Sequence, residues 1–416
     1  MSNDTTTITD NPESSPLNFF WLGFCLYSIA FVFPSKTQWF VYTLQVIQLV
    51  GMVIFASASF KLISWRTVNP YVKSVLIMTL LWYFVIICNG FNLNFEFIKR
   101  LLVYSNDGLF MYLIPLILLF PLKVKYFRKI IVVILVSGLF FIIGSIRVWD
   151  VLMYAVTGIR NATGAVDWLV LCLAIPCGFI LLTYLYNSKK VNIMAVVVML
   201  LALYFTIVRA RRGLSFVIAT MLLSAFIMQL IYNKDKLFKF VLSAMAIFLL
   251  VGGTAVFYAV ERNGFFGNLN SRMDEDTRKG VERAFYNDMS PKDWIIGKGI
   301  DGYYYCPNID EGYRITVYRN TIETGYLQVI FRGGIISLFL FALFALPAVF
   351  KGYFASKNML CKAASTWILL FLLYSYPITI NWFILSYVII WISIGICFNK
   401  EIRDMTDEEV YKEWNS

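Results

Sequence analysis

The sequence predicts an all-α polytopic membrane protein, and three observations carry that prediction. Mean hydropathy is +0.70. Hydrophobic residues make up 59% of the 416 positions. They fall in near-continuous runs that approach the roughly 20 residues a helix needs to cross a hydrocarbon core, where every backbone polar group must be satisfied internally.

Taken in order, residues 1–16 are polar and mildly acidic, lack the basic start and small-residue cleavage site of a secretory signal, and predict a cytoplasmic tail. About nine spans follow over 17–259: 17–33, 39–60, 71–89, 107–122, 129–146, 166–187, 191–208, 213–232 and 237–259. Each is an apolar run bounded by charged or turn-forming residues. Residues 260–324 form a polar island, predicted to be one large loop outside the membrane. Three further spans, 322–350, 362–376 and 379–398, continue the bundle over 325–398, and 399–416 reads as a second cytoplasmic tail. That makes about twelve spans.

Sidedness comes from the cations near span ends. With the N-terminus inside, the short inner loops hold fifteen Lys and Arg and the short outer loops hold eight. Both termini are therefore expected inside and the island outside. The kind of cation divides as well. Inner loops and tail carry 15 Lys and 3 Arg, whereas the outer loops, the island and Arg332 carry 13 Arg and 5 Lys. Guanidinium grips carboxylate or phosphate through a planar two-point fork, while ammonium acts as a point charge. The outer face is thus suited to an anion, and the net charge of +11 follows from topology rather than from nucleic-acid binding.

Other classes are disfavoured by composition. The seven cysteines lie mostly in or beside apolar runs, so no disulfide or metal framework is implied. There is no histidine, which removes the commonest general base and metal ligand. Between Asp10 and Glu261 the acids are Glu13, Glu96, Asp107, Asp150, Asp167 and Asp235, in the tail or near span ends. An ion-coupled transporter usually needs an ionisable group near the midplane.

Arg209, Arg211 and Arg212 share a very short outer turn with no acid near them in sequence. They need a compensating anion, from a ligand or from a distant part of the chain. In the island, Asn263-Gly264 and Gly297-Lys-Gly299 mark turns, a charged stretch near 271–286 suits a surface helix, and Tyr303, Tyr304, Tyr305, Tyr313 and Tyr318 offer ring faces to sugars or to a membrane interface. Asn320-Thr-Ile-Glu323 fits a capping box at the start of the tenth span. Glu323 also stands as a general base, a compatible role. Arg332 lies about two and a half turns further on, where a charge is costly unless partnered or facing a wet cavity.

The turn Thr206-x-x-Arg-x-Arg-Arg-Gly213, the loop motif Trp294-Ile-Ile-Gly-Lys-Gly299 and the segment Glu323-Thr-Gly-Tyr326-Leu-Gln-Val-Ile-Phe-Arg332-Gly-Gly-Ile-Ile336, in that order and on one side, resemble the O-antigen ligase and polymerase superfamily of bacterial envelopes. Ligases of that superfamily place a His-Asn-type pair where this chain has Ile322-Glu323, so the resemblance points to a Wzy-type polymerase of O-antigen, lipopolysaccharide or capsule. It implies the fold of C-type membrane glycosyltransferases in the bacterial cytoplasmic (inner) membrane. It also implies an undecaprenyl diphosphate-linked oligosaccharide as substrate, no metal or other cofactor, and partnership with a flippase and a chain-length regulator. Glu323, Arg211 and Arg212 are the expected catalytic residues, and Arg209, Arg332, Arg314, Arg319, Tyr326 and Tyr304 the expected substrate-binding ones. A ligase of the same superfamily and a flippase for lipid-linked oligosaccharide are the rival functions.

Overall fold

The structure, a computed structural model, describes residues 14–33, 38–65, 68–105, 108–147, 164–208, 211–232, 277–307, 317–379 and 382–415. The order is α1 (Ser14–Val32), α2 (Gln38–Leu62), α3 (Pro70–Cys88), the short α4 (Phe95–Val103), and α5 (Phe110–Leu113), which tightens into 3-10 turns over Ile114–Leu119. Next come α6 (Phe127–Arg147), α7 (Asp167–Leu182), α8 (Lys189–Val208) and α9 (Arg212–Tyr232). The island contributes α10 (Thr277–Asp288), α11 (Pro291–Ile296) and the antiparallel pair β1 (Tyr304–Tyr305) and β2 (Tyr318–Arg319). The chain closes with α12 (Gly325–Phe354), α13 (Met359–Tyr374), α14 (Leu385–Phe398), α15 (Lys400–Asp404) and α16 (Asp407–Asn415).

Seven of these helices, α1, α2, α3, α6, α8, α9 and α12, are long and apolar enough to cross a membrane. Four more expected spans fall on shorter apolar helices, over 110–119, 167–182, 359–374 and 385–398; the expected span 237–259 lies outside the described residues. Large apolar side chains point outward along whole helix faces, as with Val46, Val53 and Phe60 on α2, Leu81 and Phe84 on α3, and Leu139 and Ile142 on α6. Exposed apolar surface on that scale suits a lipid environment, not water.

Three expected spans, 107–122, 166–187 and 379–398, are shorter as helices than their apolar runs. Within 107–122, Pro115 stands where the α-helix gives way to 3-10 turns, because it lacks the N–H that the next α-turn needs. Of the run 379–398, Leu385–Phe398 forms α14, and residues 380 and 381 lie outside the described residues.

The loops sort to two ends. At one, Ser64 donates its backbone N–H to Leu119 (2.9 Å), and α15 and α16 dock on the turns beside α5, α7 and α12. Asp407 accepts from the Tyr186 hydroxyl (2.6 Å) and the Met359 amide (2.7 Å), and Glu413 accepts from the Val124 amide (3.1 Å). Trp414 packs on Phe127 and Tyr186. Residues 399–415, expected as a tail, are folded as a clasp at this end. The physical reason is the apolar pair Val410 and Trp414, one helical turn apart and both buried. The described inner-loop cations lie at this end, while Lys99, Arg100, Arg211, Arg212 and the island lie at the other.

The described island has its own core: Val281, Phe285, Met289, Tyr304, Cys306 and Ile322 pack with Leu327, Ile330 and Phe331 of α12. The first turns of α12 thus belong to the island. Gly333 (φ −138°, ψ 20°) and Gly334 (φ 64°, ψ −175°) then break the helix. The stretch after the break, about 20 residues, spans about 30 Å, the thickness of a hydrocarbon core.

The break exists because the turn after α11 lies directly on it. A Cβ on Gly334 would sit 1.9 Å from the Ile295 carbonyl oxygen, and one on Gly297 (φ +74°) 2.5 Å from the Arg332 carbonyl. Lys298 and Gly299 donate backbone N–H groups to Phe331 (2.8 Å) and Arg332 (3.1 Å), replacing bonds lost from the helix. Gly334→Ala should therefore destabilise the protein by at least about 1–3 kcal/mol, from left-handed backbone alone. Thermal unfolding in detergent is the check, and an unchanged midpoint would contradict this packing.

Candidate functional site

At the end away from the C-terminal clasp, four segments converge. The first is the arginine turn. Arg211 donates its backbone N–H to the buried Thr206 (2.8 Å), and α9 starts at Arg212, with the Ser215 amide donating to the Arg211 carbonyl (3.0 Å). The Arg211 guanidinium pairs with Asp167 at the start of α7 (2.8 Å), both side chains partly exposed. The anion that the turn requires thus comes, for Arg211, from 44 residues away. Arg212 is exposed.

Gly213 is the contact point of the turn with its neighbours. A Cβ there would lie 2.7 Å from Ile378 Cγ2, 3.2 Å from the Pro377 carbonyl and 3.6 Å from Arg278 Nη2. Arg278, on the first turn of α10, reaches in the other direction to Glu323, with Nε 3.3 Å from Oε2. Arg278 therefore stands between the arginine turn and Glu323.

Glu323 does not cap a helix. The N-cap of α12 is Thr324 and the first helical residue is Gly325, so the expected capping box at Asn320 and Glu323 is corrected. The chain is held extended here by Thr379, whose hydroxyl is 2.8 Å from both the Ile322 and Glu323 carbonyls. Gln328 reaches back to accept from the Ile322 amide (2.9 Å). With its backbone pinned and no cap to form, the Glu323 carboxylate is 64% exposed and faces Arg278. The island's capping box is instead at Ser290 and Asp293, at the start of α11, with both reciprocal bonds made.

A second carboxylate, Glu282, accepts from the Thr324 hydroxyl (2.5 Å). Next to it, Tyr286 stacks on Trp294 at 5.8 Å between ring centres. Burial, with Glu282 and Tyr376 nearby, pushes the Tyr286 hydroxyl up, so it remains neutral and able to donate.

Tyr326 anchors the start of α12, its amide donating to Ser375 (3.1 Å) and its hydroxyl to Leu372. Tyr304 is fully buried among Phe285 and Phe331 and donates to the Thr321 carbonyl (3.0 Å). Its ring is core, leaving no open face for a sugar, which corrects that expectation. Arg319, its cross-strand partner, is also buried. Arg209 and Arg314 lie outside the described residues.

Arg332 is 4% exposed and lies just before the break, at the island's core rather than deep in a span. Its guanidinium donates to the carbonyls of Ile300 (2.8 Å), Gly302 (3.4 Å), Gly299 (3.5 Å) and Asn320 (2.7 Å). It ties the 299–302 turn to the strand leading into Glu323. That is a positioning role, and it removes the expected direct contact with an anion in this arrangement.

No known family, characterised protein or solved structure matches the chain. Chemistry at this end therefore rests on the residues themselves. Three arginines (211, 212, 278) and three carboxylates (Asp167, Glu282, Glu323) are gathered from α7, α9, α10 and the approach to α12. Partly exposed ion pairs contribute only about 0–1 kcal/mol. The pairs of Arg211 with Asp167 and of Arg278 with Glu323 hold those two guanidinium groups in place and leave them partly exposed. Arg278 and Asp167 escaped the sequence reading because their partners are distant in the chain. Asp167 carried one signal, an acid near a predicted span end, and Arg278 carried only its place in the charged stretch near 271–286.

Proposed function

We propose that the protein is a polysaccharide polymerase of bacterial envelopes, with about twelve spans, both termini in the cytoplasm and the island on the outer face. It transfers a growing glycan from undecaprenyl diphosphate to a hydroxyl of an incoming lipid-linked repeat unit. The observation that carries this reading is the placement of Arg278 between the Arg211–Gly213 turn and the exposed Glu323. It supports the reading because guanidinium groups and an exposed carboxylate lie together at one accessible place.

In the proposed step the bond from the anomeric carbon to the diphosphate oxygen breaks, and the leaving diphosphate keeps the electron pair. The new bond forms from the acceptor oxygen to that carbon, and the hydroxyl proton passes to Glu323. Arg211, Arg212 and Arg278 stabilise the charge that develops on the diphosphate. Tyr286 and Trp294 offer an aromatic surface beside the carboxylates for the sugar rings.

Deleting the gene and resolving the surface glycans on gels tests the reading. Single repeat units on their final carrier, with no ladder, are expected. Accumulation of lipid-linked polymer, or no glycan of either kind at the surface, would overturn it.

A further inference from the structure

A second polar recess lies on the island side of the molecule, apart from the arginines and Glu323. It has a volume of about 280 Å³ and is lined by Asn92, Asn94, Glu96, Lys99, Arg100 and Asp301, with the rings of Phe97, Tyr104 and Tyr303. That is near the small end of the range for small-molecule sites, about 300–1,000 Å³. We infer that this recess binds a neutral, hydroxyl-rich ligand, a single sugar unit, at a site separate from the transfer centre.

The charge balance points to a neutral ligand. Two cations, Lys99 and Arg100, face two carboxylates, Glu96 and Asp301, and the Arg100–Asp301 pair is closed on itself. An anion would meet as much repulsion as attraction. The hydrogen-bonding groups point to hydroxyls. Asn92 Oδ1 accepts from the Asn94 amide and Asn94 Oδ1 from the Glu96 amide, each at 3.2 Å. Their –NH2 groups are left to donate, beside the Lys99 ammonium, while Glu96 accepts. Hydroxyls both donate and accept, so they can meet such a mixed set on all sides. Tyr104 and Tyr303 are each nearly half exposed and supply ring surface for C–H faces.

The recess is also built in advance. Arg100 lies over the Phe97 ring (5.3 Å) and donates to the Tyr303 hydroxyl (3.4 Å), which joins α4 to the 299–303 turn. That turn is held from behind by the Ile300 amide, 3.1 Å from both the Ile86 and Asn89 carbonyls, and by Arg332. A wall fixed from two elements loses little entropy on binding.

The test is saturation-transfer NMR on the full-length protein in detergent, with glucose, galactose, mannose, rhamnose and N-acetylglucosamine as probes, and glucuronate and inorganic phosphate as charged competitors. At least one neutral sugar should bind saturably, and neither anion should displace it. Glu96→Ala with Lys99→Ala should weaken binding at least about tenfold, and Glu96→Gln with Lys99→Gln should recover part of it. Arg211→Ala and Glu323→Gln should leave it unchanged, so failure here is read separately from failure of the transfer reaction. Binding by none of the five sugars, equal displacement by phosphate or glucuronate, or unchanged affinity in the folded double-alanine variant would overturn the inference.

Discussion

Arg211→Ala and Arg212→Ala are each expected to reduce polymer formation by about 10²- to 10³-fold or more, while Lys189→Ala at the opposite end leaves it intact. The magnitude follows from deleting one preorganised donor to a developing anion, about 2–4 kcal/mol in the barrier. Arg212 is exposed at the first turn of α9, so its loss should cost little stability and appear mainly in rate. Arg211 also holds Asp167 (2.8 Å), and its loss leaves that carboxylate beside the site as an added repulsion against diphosphate. Asp167→Asn separates the two effects: it removes the pair yet keeps the arginine, and should retain most activity. Arg→Lys at either position should restore part of the rate, since charge is kept while the two-point fork is lost. Polymer of normal length and amount from both Arg→Ala variants, at normal protein levels, would remove the anion site.

The same turn illustrates what was legible in the sequence. Three cations without a nearby acid demanded an anion, and that necessity held for Arg211. The identity of Asp167 was not legible, because pairing across 44 residues depends on how α7 and α9 pack. The apolar runs predicted the long helices well, since lipid-facing residues must be apolar whatever the packing. Where Pro115 interrupts the run 107–122, hydropathy alone overstated helix length.

Local motifs were less decisive than tertiary contacts. Asn320-x-x-Glu323 and Ser290-x-x-Asp293 both fit a capping pattern, yet only the second caps, because Thr379 and Gln328 hold the chain extended through residue 323. The depth of Arg332 was counted along an unbroken helix. Gly333-Gly334 was visible in the sequence, but its meaning depends on the Ile295–Gly299 turn that lies against it. Without that partner, two glycines in a span do not announce a break. The clasp over 399–415 was the more readable omission, since Val410 and Trp414 sit at helical spacing in an otherwise charged segment.

Glu323→Gln is the second large effect expected. The structure leaves this side chain no helix to cap, and its partner Arg278, 3.3 Å away, can bond equally to a carboxamide oxygen. The exposed pair contributes at most about 1 kcal/mol, so folding and thermal stability should be nearly unchanged. What glutamine cannot do is accept a proton from the attacking hydroxyl, and losing a general base lowers rate by roughly 10²- to 10⁴-fold. Glu323→Asp keeps the carboxylate but withdraws it by about one methylene, and should fall between the two. Glu282→Gln distinguishes the neighbouring acid: its carboxylate is engaged by the Thr324 hydroxyl, so it should lose far less. The decisive measurement is polymer formed by the purified full-length protein from purified lipid-linked repeat unit, comparing wild type with Glu323→Gln at matched amount and stability. The account predicts a ladder of products from wild type and single repeat units from Glu323→Gln. Equal ladders from both, or no polymer from folded wild-type protein, would contradict it.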